Sequence, residues 1–445
     1  MSEANSRLIS LDVFRGMTIA GMVLVNNPGT WSHIYDPLEH ASWHGLTPTD
    51  WIFPFFLFIV GVAIPIALGK RLVEGITQKV YTKIVSRSAM IFALGLSMSV
   101  IPFFQFAATN APDWLKMLIW MAMTGGLLFL LLRNFKAAGI LIGLSIAGVI
   151  GLNLAGYNVV PYNFGTMRIP GVLQRIAVCY LVVSIIFLHT NWKHQIYIAI
   201  GILLGYWAVM TLVPVPGCDV TTIDDKACNL AAWLDRSILT EDHIWRSAKV
   251  FDPEGILSTL PAIATTIAGV LTGTWLTKRP SASVLSESGG TAHDDNLNKV
   301  SGLFFFGTVL LGAGYVWNSY FPFNKALWTS SYVLVTAGLA LLTLGACFWL
   351  IDIKGYKAWA KPFVIFGMNA LPLFVFSGIF ARMIGAYRVS GADGQPVAVQ
   401  KWVFDNIFLS VAQPVDASLL YAICFILVWL FLMWLLFRKD IYIKV

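Results

Sequence analysis

The chain has 445 residues, 57% of them hydrophobic and only 12% charged, with a formal net charge of +7 and a mean hydropathy of +0.73. That balance excludes a soluble globular enzyme of this length and points to a polytopic membrane protein. The cationic excess is spread over many short connections, so it is a topology signal rather than a nucleic-acid-binding patch.

Crossing about 30 Å of hydrocarbon takes about 20 apolar residues per helix. Runs of that kind start near Ile9, Asp50, Ile84, Trp114, Ala137, Pro170, Gln195, Gly255, Val300, Trp328, Pro362 and Ala417. The expected fold is therefore all-α, a polytopic transmembrane bundle of about twelve helices (eleven to twelve). Met1 to Ser10 is mostly polar and no small-residue cleavage site follows, so the first helix is expected to remain in the mature protein. With the N-terminus in the cytoplasm, the inner connections hold Lys70, Arg71, Lys79, Lys83 and Arg87, then Arg133, Lys136, Lys193, Lys278, Arg279, Lys354, Lys357 and Lys361. The positive-inside rule then places both termini inside. The charge signal is weakest around Leu132 to Ala137, where the fourth helix meets the fifth. No fixed-period repeat is present, so a single transmembrane domain is expected over residues 1–445. Its periplasmic loops are about 28–49, 214–254 and 384–416, and a Ser/Gly/Pro-rich cytoplasmic linker covers about 277–299.

Ionisable groups inside hydrocarbon are costly and mark function by default. Asp12 and Arg15 share one helix face three residues apart, as either a structural pair or a ligand contact. Arg15, Lys70, Arg71 and Arg87 are expected on the inner side, where they would form a phosphate-attracting mouth. Asn26 ends the first helix before Asn27-Pro28-Gly29, as a turn former or as an amide that orients a carbonyl. Arg175 lies near the outer end of the sixth helix and Asn369 within the eleventh; neither suits a lipid-facing position. Asp252 opens the eighth helix and is explained by capping, with Glu254 beside it. The long outer loop mixes Trp233, Asp235, Arg236, Glu241, Asp242, His243, Trp245 and Arg246, as either a sugar-binding surface or a solvated cap. Cys218 and Cys228 in that loop form a candidate disulfide in an oxidising compartment. His40, Trp43, His44 and Asp50 directly precede the second helix. Asp50 followed by Pro54 is also an ordinary helix-start signal. The histidines form no ligand-spaced set, so no metal is expected.

Several longer stretches carry a resemblance. Ser10-Leu-Asp-Val-Phe-Arg-Gly16, Asn26-Asn-Pro-Gly29 and His40-Ala-Ser-Trp-His-Gly-Leu-Thr-Pro-Thr-Asp50 are followed by Pro170-Gly-Val-Leu-Gln-Arg-Ile176 and Asp252-Pro-Glu-Gly-Ile256. Asn324-Lys-Ala-Leu-Trp-Thr-Ser-Ser331 and Gly367-Met-Asn-Ala-Leu371 complete the series. In this order they resemble the heparan-alpha-glucosaminide N-acetyltransferase family and its bacterial relatives, in a short form without the luminal N-terminal domain. The resemblance implies an integral protein of the bacterial inner membrane that moves the acetyl group of cytoplasmic acetyl-CoA to the amine of a glucosamine-type sugar on the other side. It also implies a homodimer surrounded by membrane lipids, and it assigns the catalytic roles to His40 and Asn26.

Histidine suits the removal of a proton from an attacking amine near neutral pH, or it accepts the acetyl group itself. Asn26 would donate to the oxyanion. Asp50, His44, Trp43, Arg175, Glu254 and Asn369 are the candidates for orienting His40 or the acceptor. An envelope-polysaccharide O-acetyltransferase is the alternative, and a sugar permease ranks below it.

Overall fold

The computed structural model describes residues 8–278, 292–391 and 393–443, apart from the side chains of Lys70, Val73, Ala292 and His293. Residues 279–291 of the expected 277–299 linker lie outside the described residues, as does the side chain of Lys70, while 292–299 belong to the helix Ala292–Asn318 and not to a linker. Eleven helices among the described residues are long and apolar enough to cross a membrane, and a bent pair supplies a twelfth if counted as one span. In chain order they are α1 (Ile9–Asn26), α2 (Ile52–Glu74), α3 (Gln78–Val100), α4 (Asp113–Leu131), α5 (Phe135–Leu154), α6 (Val172–His189) and α7 (Trp192–Leu212). A short α8 (Leu230–Leu239) precedes α9 (Thr259–Thr277), α10 (Ala292–Asn318) and α11 (Ser330–Phe348). The broken pair α12 (Lys361–Met368) and α13 (Ala370–Ala386) leads to α14 (Pro414–Arg438). Each expected run coincides with one of these spans. The weakly signalled junction between α4 and α5 is a tight turn: Arg133 has φ 59°, and the side chain of Asn134 caps α5 by accepting from the amide of Ala137.

The described residues fall into two compact units. One is drawn from Met1–Ile19, His40–Phe92 and Arg168–Met368, the other from Ala20–Glu39, Ala93–Met167 and Asn369–Val445. In the first, α2 lies directly on α9. A Cβ at Gly61 would overlap the carbonyl of Thr266, and one at Gly269 the carbonyl of Phe58. Small residues let two backbones meet where hydrocarbon surroundings supply no hydrophobic drive for association. Val13, Phe14, Phe58, Val62, Leu344 and Ile351 fill the apolar core around that seam. The seam matters for the site because α2 follows Asp50 and α9 follows Glu254. Gly269→Ala is expected to cost about 2–3 kcal/mol through overpacking, read as a lower unfolding temperature in detergent. An unchanged temperature would mean that the two helices separate at no cost.

The second unit holds the α4–α5 hairpin, α13 and α14. It also contains a β-hairpin that periodicity did not announce, β1 (Arg388–Ser390) antiparallel to β2 (Pro396–Ala398) with Val389 opposite Val397. Asn369, expected in the site, sits here. Its amide donates to the carbonyl of Ile441 and accepts from the amide of Ile443. The residue clamps the C-terminal segment, with both amide atoms engaged.

Candidate active site

The segment between α1 and α2 makes the site. Thr47 caps a single 3₁₀ turn, Pro48–Trp51, in a capping box with Asp50, and α2 continues from it. This confirms the helix-start signal, but the carboxylate does more. Asp50 Oδ2 accepts from the amides of Ala41 at 3.2 Å and Thr47 at 3.0 Å, and from the Thr47 hydroxyl at 3.0 Å. Its Oδ1 lies 2.7 Å from His40 Nδ1. The Asp50 side chain is 1% exposed and that of His40 47%. A carboxylate in this setting accepts, so Nδ1 carries the proton and the Nε2 lone pair is left for chemistry. Tyr332 of α11 donates to the Asp50 carbonyl at 2.6 Å and fixes the turn from the other side.

Lys325, in the turn between α10 and α11, reaches the same imidazole, with Nζ 3.0 Å from Nε2 and 3.1 Å from Nδ1. Sequence reasoning did not single it out. The available signal was its place in the Asn324–Ser331 stretch, a cation just before a membrane helix.

His44 and Trp43 face the disulfide loop. Cys218 and Cys228 are bonded as expected. The loop between them turns Asp224 onto His44 Nε2 at 2.9 Å and the Ile223 carbonyl onto the Trp43 indole N–H at 2.8 Å. Asn324 Nδ2 stands 3.3 Å from His44 Nδ1. His44 is therefore a strut between the disulfide loop and the turn of Asn324, and His40 alone of the pair stands on Asp50. Cys218→Ser should lower stability by about 2–3 kcal/mol, the closure entropy of so short a loop, and should raise the KM for the acceptor. Thermal unfolding with and without reductant checks the first effect; reductant should leave the variant unchanged.

Asp252 is not the α9 cap expected of it, because α9 begins only at Thr259. It is instead bridged by Arg168, whose Nε and Nη2 donate at 2.8 and 2.6 Å, and Nη2 also meets Glu254 at 2.5 Å. A second carboxylate so near needs a guanidinium, and that requirement outweighs capping. Burial opposes the charge on Glu254, but Arg168, Arg175 and Lys325 together hold its carboxyl below the usual glutamate range. Asp235 of α8 shows the opposite result. Burial above all, with Asp252 adding to it, pushes its carboxyl up to about 6, although it accepts from the Ile256 amide at 2.8 Å.

Arg175 is 2% exposed. Nη2 donates to the Gly255 carbonyl at 3.2 Å and to the Ser258 hydroxyl, and the guanidinium lies 5.0 Å from the Trp328 ring. Its Nε and Nη1 have no partner among the described residues. Two unpartnered nitrogens on a buried cation suit an oxygen-bearing ligand. Trp43, Phe251 and Trp245 form an edge-to-face aromatic series, with centroids 5.1 and 6.2 Å apart.

Of the predicted cofactor residues, Arg71 sits at a helix end, whereas Arg15 lies within α1 and Arg87 near the middle of α3. Arg71 belongs to the last turn of α2. At 1.5 Å per residue it stands about 30 Å along the axis from Asp50, which is the thickness of the hydrocarbon core. Arg15 pairs with Asp12 at 3.3 Å and reaches the Gly367 carbonyl at 3.5 Å. Arg87 lies over Tyr180, 5.1 Å from the ring centre. Asn26 belongs to the second unit, at the exposed end of α1.

Comparison with known proteins bears out the resemblance. Residues 7–163, which include His40 and Asp50, match the family model described as "Heparan-alpha-glucosaminide N-acetyltransferase, catalytic". The chain is 26% identical over 427 residues to the heparan-alpha-glucosaminide N-acetyltransferase of Homo sapiens, covering 85% of this chain and 54% of that protein. It is 25% identical over 421 residues to the Mus musculus protein of the same name, with 84% and 53% coverage. The chain thus spans about half the length of the curated relatives it matches. Arg168, Glu254 and Lys325 lie beyond the residues matched by the family model.

Proposed function

We propose that this relative of the heparan-alpha-glucosaminide N-acetyltransferases is a transmembrane acetyltransferase, moving the acetyl group of cytoplasmic acetyl-CoA to the amine of a glucosamine-type sugar on the periplasmic side. The supporting observation is the arrangement along α2, with an imidazole oriented by Asp50 at one end and cationic residues at the other. Acetyl-CoA is too highly charged to cross the bilayer. Arg15, Lys70, Arg71 and Arg87 hold its nucleotide, while the thioester meets His40 at the outer end.

His40 Nε2 removes the proton of the attacking amine. The amine nitrogen bonds to the thioester carbonyl carbon, and the C–S bond breaks to release the CoA thiolate. A two-step route through acetyl-His40 uses the same lone pair as a nucleophile. The acceptor sugar packs on the Trp43 and Trp245 side, with Glu254 for its hydroxyls. The free N–H groups of Arg175 receive an oxygen of the substrate. The protein works as a homodimer in the inner membrane.

The test is acetyl transfer by the purified protein from labelled acetyl-CoA to glucosamine. Alkali-stable labelled N-acetylglucosamine supports the reading. An alkali-labile product formed only with hydroxyl or polymer acceptors would replace it with O-acetylation, and a protein that binds no acetyl-CoA would sink both. Labelled protein trapped by acid quench without acceptor decides for the two-step route.

A further inference from the structure

Lys325 stands against the imidazole itself. With Nδ1–H committed to Asp50, the lone pair left on His40 is at Nε2, in the plane of the ring, and Lys325 Nζ lies over the ring, 3.0 Å from Nε2 and 3.1 Å from Nδ1. The same Nζ is 3.9 Å from Asp50 Oδ1. The turn that presents this lysine is rigid. Asn324 accepts from the Leu327 amide through its side chain at 2.8 Å, and the Asn324 amide donates to the Thr329 hydroxyl at 3.1 Å. Asn324 and Thr329 are both fully buried.

The charges around the pair come from four places. Asp50 faces His40 and Lys325 from the start of α2. Glu254 attracts the lysine from the segment before α9, and Arg175 on α6 repels it. His44 is turned to Asp224 and Asn324. Burial pulls the lysine below its usual range, Arg175 adds to that pull, and Asp50 and Glu254 oppose it.

We propose that Lys325 is a positioning residue for His40, whose ammonium lies against the imidazole in the resting site and by its charge keeps the ring neutral until the acceptor amine arrives. An ammonium and an imidazolium at 3 Å repel each other, so Lys325 opposes the protonation that the Asp50 carboxylate favours. After attack, the proton that leaves the amine forms the Nε2–H bond. The same repulsion then drives that proton on to water. This role rests on the reading of His40 as the base.

The experiment separates the two. Diethyl pyrocarbonate modifies only neutral imidazole, so its rate at His40, mapped by mass spectrometry against pH on detergent-purified protein, reports the ring's charge without any turnover. In Lys325→Met the midpoint should move about one pH unit upward, the usual scale for losing one adjacent charge. Lys325→Arg should keep the wild-type midpoint. The acid limb of kcat/KM for acetyl transfer should move with the modification curve, whereas a merely structural loss would lower the rate equally at all pH values. An unmoved midpoint in Lys325→Met overturns the proposal, with Lys325→Gln read in its place if the methionine variant does not purify folded. Failure of the wild type to acetylate glucosamine would remove the function proposed above and leave the modification curve to decide on Lys325.

Discussion

His40→Ala should lower acetyl transfer about 10³-fold, the usual scale for removing a positioned general base, while the protein stays folded and still binds acetyl-CoA. Asp50→Asn should cost about 10²-fold or more for a reason specific to this site. Three donors, the Ala41 and Thr47 amides and the Thr47 hydroxyl, converge on Oδ2. They compel an asparagine to place its carbonyl oxygen there, so its NH₂ would point at His40 Nδ1. A donor at that position forces the imidazole proton onto Nε2 and removes the lone pair that the reaction needs. KM for acetyl-CoA should change little, because Arg71, among the residues proposed to hold it, lies at the far end of α2. Single-turnover rates with labelled acetyl-CoA measure both variants, and transfer by Asp50→Asn within threefold of wild type would refute the tautomer argument.

Arg168→Met should be the most destabilising single change outside the helix seams, at about 3–5 kcal/mol. The Asp252 side chain is fully buried and that of Glu254 is 9% exposed, so losing the guanidinium leaves two carboxylates without their counter-charge. Glu254 titrates below its ordinary value of 4.5 in the folded protein. Its contribution to stability is therefore present above pH 4.5 and is lost as the pH falls through the lower folded value. In Arg168→Met the dependence should reverse, with acidification recovering stability relative to wild type because the carboxyls are then buried neutral. Adding Asp252→Asn and Glu254→Gln should restore much of the loss at neutral pH. Unfolding temperatures in detergent at pH 4 and pH 7 test all three statements. Equal losses in the single and triple variants would show that Arg168 acts through packing alone.

The spans, the Asp12–Arg15 pair and the helix start at Asp50 were legible in the chain, and Cys218 and Cys228 stood as a candidate bond, because each depends on hydropathy or on partners close in sequence. His40 was legible as a candidate, but its partner was not: Asp50, His44 and Glu254 stood as equals until the 3₁₀ turn set Asp50 beside Nδ1. The roles of Asp252 and Asn369 changed for the same reason. Arg168 is 84 positions from Asp252 and Ile441 is 72 from Asn369, and no periodicity carries such distances. Lys325, 285 positions from His40, is the extreme case. The amino-acid sequence by itself determined a membrane-spanning helical protein with a histidine just before α2, since burying apolar runs in hydrocarbon is a local requirement. Only the tertiary structure decided which charges meet that histidine. Glycine contacts such as Gly61 on Thr266 and Gly269 on Phe58 set how closely the helices pack, and that spacing determines which distant side chains come within reach of a hydrogen bond.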